Sequence, residues 1–139
     1  MAPQSKSRNG FSLVELMIVI VITGVLAAMG IAIFNQHIME AKRTEGITAI
    51  GTIRRQLRIY YATEGSYPLA PAFTQIVGKS WNDIKPGELT GKYFLDKHYR
   101  YRSYDGVEYR IKCQKAGVLD QNIWIDETGN WKYNVMDDD

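Results

Sequence analysis

The pattern of apolar and polar positions changes twice along the chain. Residues 11–38 form an apolar run whose only charged member is Glu15. At about 1.5 Å of rise per residue, roughly 20 apolar residues cross a bilayer core as a helix, and this run is longer than that. Beyond it, Ile38, Ala41, Ile47, Ile50, Ile53, Leu57 and Tyr60 or Tyr61 recur at three- and four-residue spacing. That spacing predicts a continuing helix that is apolar along one stripe only. Glu40, Lys42, Arg43, Glu45, Arg54, Arg55 and Arg58 are then expected on the other side, facing solvent or neighbouring subunits. Gly46 and Gly51 interrupt the pattern without a proline to stop it, and the helix is expected to end near Gly65, with Pro68 beyond. A helix over residues 11–63 is about 80 Å long.

Residues 64–91 are punctuated by Gly, Pro and Ser and read as a connecting loop, with a short helix from Ala70 to Val77 closed by Gly78. The period then falls to two. Tyr99, Tyr101 and Tyr104 alternate roughly with Arg100 and Arg102, and Asp105-Gly106 is a hairpin turn before 107–113. A second strand pair, 122–126 and 131–135, is joined by Glu127-Thr128-Gly129-Asn130. The expected fold class is α+β. One long amino-terminal helix packs its apolar stripe on a carboxyl-terminal antiparallel sheet of about four strands, in residues 92–139 with the tail.

The 139 residues suit one modest domain on such a helix. A net charge of +2 is too small to argue for nucleic acid by itself. Residues 1–10 hold Lys6 and Arg8 and no acid, so removing them leaves 15 basic against 15 acidic residues. A neutral subunit has little long-range repulsion from copies of itself. The basic flank also favours a cytoplasmic amino end with the remainder exported. Cys113 is the lone cysteine, which excludes an internal disulfide, and it reads as a small buried hydrophobe.

An ordinary secretory signal places its cleavage site after the apolar stretch. Here Gly10 lies before it, and the stretch is overlong for a removable segment. A carboxylate within a lipid-facing helix costs on the order of 2.5 to 3.5 kcal/mol, so Glu15 calls for a partner. A cut after Gly10 would supply one, since the new amino group of Phe11 lies one helical turn away, on the same chain or on a neighbour. The bland alternative is an acid tolerated at the membrane interface by reaching toward water.

The run Lys6-Ser7-Arg8-Asn9-Gly10-Phe11-Ser12-Leu13-Val14-Glu15-Leu16 resembles the class III signal sequence of type IV prepilins and type II secretion pseudopilins. The resemblance continues through Gly24-Val25-Leu26-Ala27-Ala28 to about Tyr61. It implies a ladle-shaped pilin fold, cleavage by a prepilin peptidase between Gly10 and Phe11, and amino-methylation of Phe11. Residues 1–10 are then the leader, 11–38 the transmembrane and filament-core half of the helix, and 39–63 its amphipathic half. The implied function is a structural subunit of a type IV pilus, major or minor. Its implied partners are copies of itself, the peptidase, the inner membrane, and an assembly machine with a platform protein and minor pilins. Glu15 would set register between subunits. The precursor would sit in the bacterial inner membrane with a cytoplasmic amino terminus, before the subunit enters an extracellular pilus. A pseudopilin in a periplasmic pseudopilus stays open as an alternative, as does a static membrane-anchored sensor. Many pilins carry a proline near the position of Ala32; without it, an unbroken helix is expected, with Gly24 and Gly30 as weak points.

No catalytic pattern emerges. Gly78-Lys79-Ser80 lacks the earlier glycine of a phosphate loop, and His37 and His98 have no zinc-like spacing. No cofactor is expected. Asp126, Glu127 and Asp137 to Asp139 raise calcium only as an option, without a spaced ligand loop. Arg100, Arg102, Arg110, Lys112 and Lys115 could form a basic patch for nucleic acid, although alternation onto a wet strand face explains them more simply.

Overall fold

A computed structural model describes residues 10–135. Helix α1 spans Leu13–Glu64 without a break. The amide of Gly65 donates to the Tyr61 carbonyl at 2.9 Å, satisfying a carbonyl that the helix end would otherwise leave unpaired. Five strands follow: β1 Ala70–Gln75, β2 Tyr99–Ser103, β3 Arg110–Cys113, β4 Gln121–Asp126 and β5 Trp131–Val135. They form one antiparallel meander in chain order. A 3-10 turn, Asp96–His98, leads into β2.

Two compact units divide at Ile38. The first is the apolar part of α1. In its most apolar 18-residue window no residue is buried, and side chains from Leu13 to Phe34 are exposed around the helix. The only hydroxyl in that stretch, on Thr23, donates back to the Val19 and Ile20 carbonyls at 2.7 and 3.1 Å, so it needs no outside partner.

The second unit, Met39 onward, holds the core. Ile50, Ile53 and Leu57 of α1 are fully buried against Tyr99, Tyr101, Ile111, Cys113, Ile123 and Ile125 of the sheet. The strand pattern follows from the pleat, since alternate residues of β2 and β3 turn inward while Arg100, Arg102, Arg110 and Lys112 turn outward. Gly46 is the buried glycine at which helix and sheet come close. A Cβ there would lie 3.2 Å from Ile123 Cδ1 and 3.6 Å from Cys113 Sγ. It is a packing position, not an interruption.

Glu45, expected on the solvent side, is instead an anchor. Its Oε1 accepts from the amides of Tyr93 and Phe94 at 2.9 and 2.8 Å, and its Oε2 from that of Lys92 at 3.0 Å. Such charge-assisted bonds to backbone amides are roughly twice as strong as neutral ones. Arg54, likewise expected outside, donates from Nε to the Tyr109 hydroxyl at 3.2 Å and lies against Gly129 in the β4–β5 turn. Helical spacing locates a charge on a face but does not show what the rest of the chain lays over it.

The segment from Ala70 is a strand, not the expected short helix, and the sheet has five strands instead of about four. Pro71 follows directly on the first residue of β1, where a sheet edge tolerates a missing amide donor. Phe73 and Thr74 favour the extended form, and the register with β2 shifts between Ala70 and Thr74. The Tyr101 hydroxyl donates to the Pro68 carbonyl at 2.7 Å, holding the helix exit to the sheet. The second expected hairpin is present as 121–126 with 131–135.

Cys113 is buried, and desolvation pushes its thiol up to about 12 from an ordinary 9.0. Its cross-strand partner is Tyr99, whose buried hydroxyl has no conventional hydrogen-bond acceptor and is pushed well above the usual phenol range by burial.

Glu45→Ala should destabilise the folded unit by about 2 kcal/mol, because it strands three amide donors. A Cβ on Gly91 would collide with the Glu45 carboxylate, so Gly91→Ala should cost a similar amount, and the double variant little more than either single one. Unfolding midpoints of the full chain in detergent, read by tryptophan fluorescence, check this. Cys113 should resist maleimide at pH 8 until urea unfolds the chain. Because the folded thiol holds its proton longer than the unfolded one, its stabilising effect is complete below about pH 9 and is lost toward pH 12. The urea midpoint should therefore fall between pH 8 and pH 10.5, and less steeply in Cys113→Ala.

Candidate functional site

The amino-terminal segment is where the sequence points, and its local structure follows from four residues. Gly10 and Phe11 precede α1 in exposed, non-helical chain, and Phe11 is 85% exposed. A peptide bond between them has no structure packed over it among the described residues. Ser12 and Glu15 then start the helix reciprocally. The Glu15 amide donates to Ser12 Oγ at 3.2 Å, and the Ser12 amide donates to Glu15 Oε2 at 2.9 Å. This is a capping box, which satisfies two of the amides that every helix start leaves unpaired. The Ser-x-x-Glu spacing is visible in the sequence, so the box was legible there, although Glu15 reads at first only as a charge in need of a cation.

The box uses one carboxylate oxygen of Glu15. Its other oxygen, Oε1, has no hydrogen bond or ion pair among the described residues. Glu15 also lies in the first turn, where the helix dipole favours a negative charge. The geometry thus offers a carboxylate held in place by its own helix, with an acceptor left over, at the head of an apolar surface that is not buried among the described residues. Lys6 and Arg8 of the leader lie outside the described residues.

The other sequence candidates separate. Among the described residues no three His, Cys, Asp or Glu side chains gather as a metal site. The Asp126 carboxylate is taken up by its own turn, accepting from Thr128 Oγ1 and the Asn130 amide, with Lys132 Nζ 3.8 Å away. Those bonds and Lys132 hold it below the usual carboxylate range, against its partial desolvation. Asp137 to Asp139 lie outside the described residues. His98 accepts from the Leu95 amide through Nδ1, and burial together with Lys115 and Lys97 lowers its pKa. Lys115 leaves the basic group of the sheet, since its ammonium donates to the Tyr93 carbonyl at 2.6 Å. Lys79 and Ser80 line a shallow surface hollow with Tyr60 and Trp81, in a turn that opens no helix.

Residues 5–31 match the family model of the prokaryotic N-terminal methylation motif. The chain is similar to the fimbrial protein EcpC of Eikenella corrodens, 33% identical over 61 residues, which is 44% of this chain and 40% of that protein. It is similar to the type IV major pilin protein PilE1 of Neisseria gonorrhoeae, 29% identical over 86 residues, covering 62% of this chain and 48% of the other. The type IV major fimbrial protein FimA of Dichelobacter nodosus is 44% identical over 41 residues, 30% of this chain and 26% of FimA. The matched region thus spans less than half the length of these relatives. No solved structure matches the chain. The methylation motif over residues 5–31 and these likenesses make the amino-terminal part of the chain similar to type IV pilins and fimbrial proteins, and a long amino-terminal helix followed by an antiparallel sheet is consistent with the pilin fold.

Proposed function

We propose that the chain is a structural subunit of a type IV pilus, made as an inner-membrane precursor and polymerised through residues 11–38 after loss of residues 1–10. The observation that carries this reading is the pairing of an uncovered apolar helix with a pre-held carboxylate at its start. An apolar helical surface with no covering partner among the described residues is suited to lipid or to copies of itself. Hydrophobic burial between copies would hold such a bundle together.

In this reading a prepilin peptidase cuts the Gly10–Phe11 bond, and the released amino group of Phe11 is methylated. Methylation leaves it a cation. Glu15 Oε1 accepts that cation from a neighbouring copy, while Oε2 stays on the Ser12 amide. The carboxylate therefore fixes axial register without giving up the helix cap. The interface is head-to-tail between unlike surfaces and does not close, which yields a filament of any length. The folded unit from Met39 onward is carried outside the cell. The chain's own role is to pack, with no chemistry assigned to any side chain. Assembly depends on an energy-coupled machine in the inner membrane, with its platform protein and minor pilins.

The test starts with the amino terminus of protein from the native membrane and sheared-filament fractions, by intact mass and terminal sequencing. A start at methylated Phe11 is the expected result, and a retained Met1 leader in mature material would overturn the reading in favour of a static anchor. Glu15→Val should still be cut at Gly10 and remain in the membrane, while filament yield in the sheared fraction falls at least tenfold. Full yield from that variant would remove Glu15 from assembly.

A further inference from the structure

Just past its apolar part, α1 carries Lys42 and Arg43, and the folded unit brings further cations beside them. The Lys42 ammonium lies 5.9 Å from the centre of the Tyr93 ring, and the Lys92 ammonium lies 5.5 Å from the same centre. Lys115 reaches this residue too, donating to the Tyr93 carbonyl at 2.6 Å. Lysines from three separate stretches of chain thus converge on one tyrosine, which is there because Glu45 accepts from the amides of Lys92 and Tyr93. The acids of this stretch are Glu40, which is exposed, and Glu45, which is occupied by backbone amides. Among the described residues neither forms an ion pair with Lys42, Arg43, Lys92 or Lys115, and the cations keep an excess of two charges. The positive field is felt at His98, whose pKa is lowered first by burial and then by Lys115 and Lys97.

The level of this group along α1 follows from helix geometry. Phe34 is the last large apolar side chain exposed in the run. Side chains lean toward the amino end of a helix, and that of Lys42 does so by nearly a turn, with its ammonium 3.8 Å from Met39 Sδ. Met39 is five residues past Phe34, about 7.5 Å of helical rise. A hydrocarbon core of about 30 Å in a bilayer of about 40 to 45 Å leaves roughly 5 to 8 Å of headgroups on each side. The Lys42 ammonium is therefore at the depth of lipid phosphates when the apolar run lies in a membrane, and a tyrosine such as Tyr93 suits that depth. On the topology proposed above these cations lie on the exported side, where they oppose the orienting bias of Lys6 and Arg8. Charges that work against the topology call for a partner of their own.

We propose that Lys42, Arg43, Lys92 and Lys115 form a collar that binds the phosphates of anionic phospholipids around the emerging helix, an inference that rests on the membrane-precursor reading. A lipid surface fits better than a soluble anion because the collar adjoins an apolar stretch suited to lipid, which keeps headgroups at high local concentration beside it. Attraction to an anionic surface grows with each Lys or Arg held within a Debye length of it. The Tyr93 ring orients two of the ammonium groups without neutralising them, as a carboxylate would. The collar seats the folded unit close to the bilayer while the subunit waits, and drawing the helix out of the membrane has to break these contacts.

The test uses the full chain reconstituted in phosphatidylcholine bilayers with a trace of spin-labelled phosphatidylglycerol or spin-labelled phosphatidylcholine, and electron spin resonance to measure the lipid that the protein immobilises. At about 20 mM NaCl the phosphatidylglycerol probe should be favoured about threefold, and at about 1 M NaCl, where the Debye length is about 3 Å, the two probes should be equal. Lys42→Gln/Arg43→Gln/Lys92→Gln should abolish the low-salt preference with circular dichroism unchanged; Lys115 is kept because it also holds Tyr93. Lys6→Gln/Arg8→Gln, which removes the cations of the leader, and Arg55→Gln, farther along α1, should each retain the preference. Equal immobilisation of both probes by the unaltered chain would overturn the collar and leave the membrane anchor standing, whereas immobilisation of neither would overturn both. A preference that survives the triple variant, or that vanishes with the leader variant, would place the lipid contact elsewhere and overturn the proposal. Loss of the preference on adding inorganic polyphosphate, at a charge concentration below that of the labelled lipid, would overturn it in favour of a soluble polyanion.

Discussion

A sheet that packs on a single helix must be fastened to a narrow apolar stripe, and here the fastening depends on the carboxylate of Glu45. Ile50, Ile53 and Leu57 supply the buried area, but burial has no direction and would accept the sheet in several positions along the helix. The three amides of residues 92–94 on Glu45 select one position. Gly91 makes room for that approach, and Gly46 lets Ile123 and Cys113 close onto the helix one residue further on. From this seat the chain enters β2 with Tyr99 and Tyr101 pointing inward, and that phase dictates the outward direction of Arg100 and Arg102. A polar contact at the edge of the core thus decides which side chains the distal face presents.

The same helix answers to two different surroundings, and the sequence writes this as a change of pattern near Ile38. Before it, apolar residues occur all round; after it, they keep to one side. That change, the Asp105-Gly106 turn and the 127–130 turn are local signals, governed by residues within a few positions of each other, and each is legible without a structure. Strand β1 is not, because Pro71 and the surrounding loop-like punctuation hide a segment that is extended mainly through its pairing with β2. Glu45 and Arg54 are misread for a related reason. Periodicity assigns them to the polar side of the helix, yet residues about 50 or more positions away arrive to accept or donate their hydrogen bonds.

At the amino-terminal site the legible part was chemical and the hidden part geometric. The residue types around Gly10 and Phe11 suffice to suggest processing, and the isolation of Glu15 in an apolar run suffices to demand a partner. The cap between Ser12 and Glu15 shows that the carboxylate has a local task already. A group with one oxygen committed to its own helix cannot swing to meet any cation that approaches. It presents the remaining oxygen from a fixed place, which in the proposed filament would make it a better ruler than an unattached acid.

The inward bond of Thr23 bears on how such helices lie together. With its hydroxyl folded onto the Val19 and Ile20 carbonyls, the stretch from Leu16 to Phe34 offers neighbours no polar group on any side. Hydrogen bonding therefore gives a helix of that kind no preferred azimuth. In the proposed filament it could be turned about its own axis without breaking a hydrogen bond to a neighbour, while the acid at its end would resist sliding. On that reading twisting and lengthwise slipping would be decoupled, and a bundle of these helices would yield to torsion more readily than to tension.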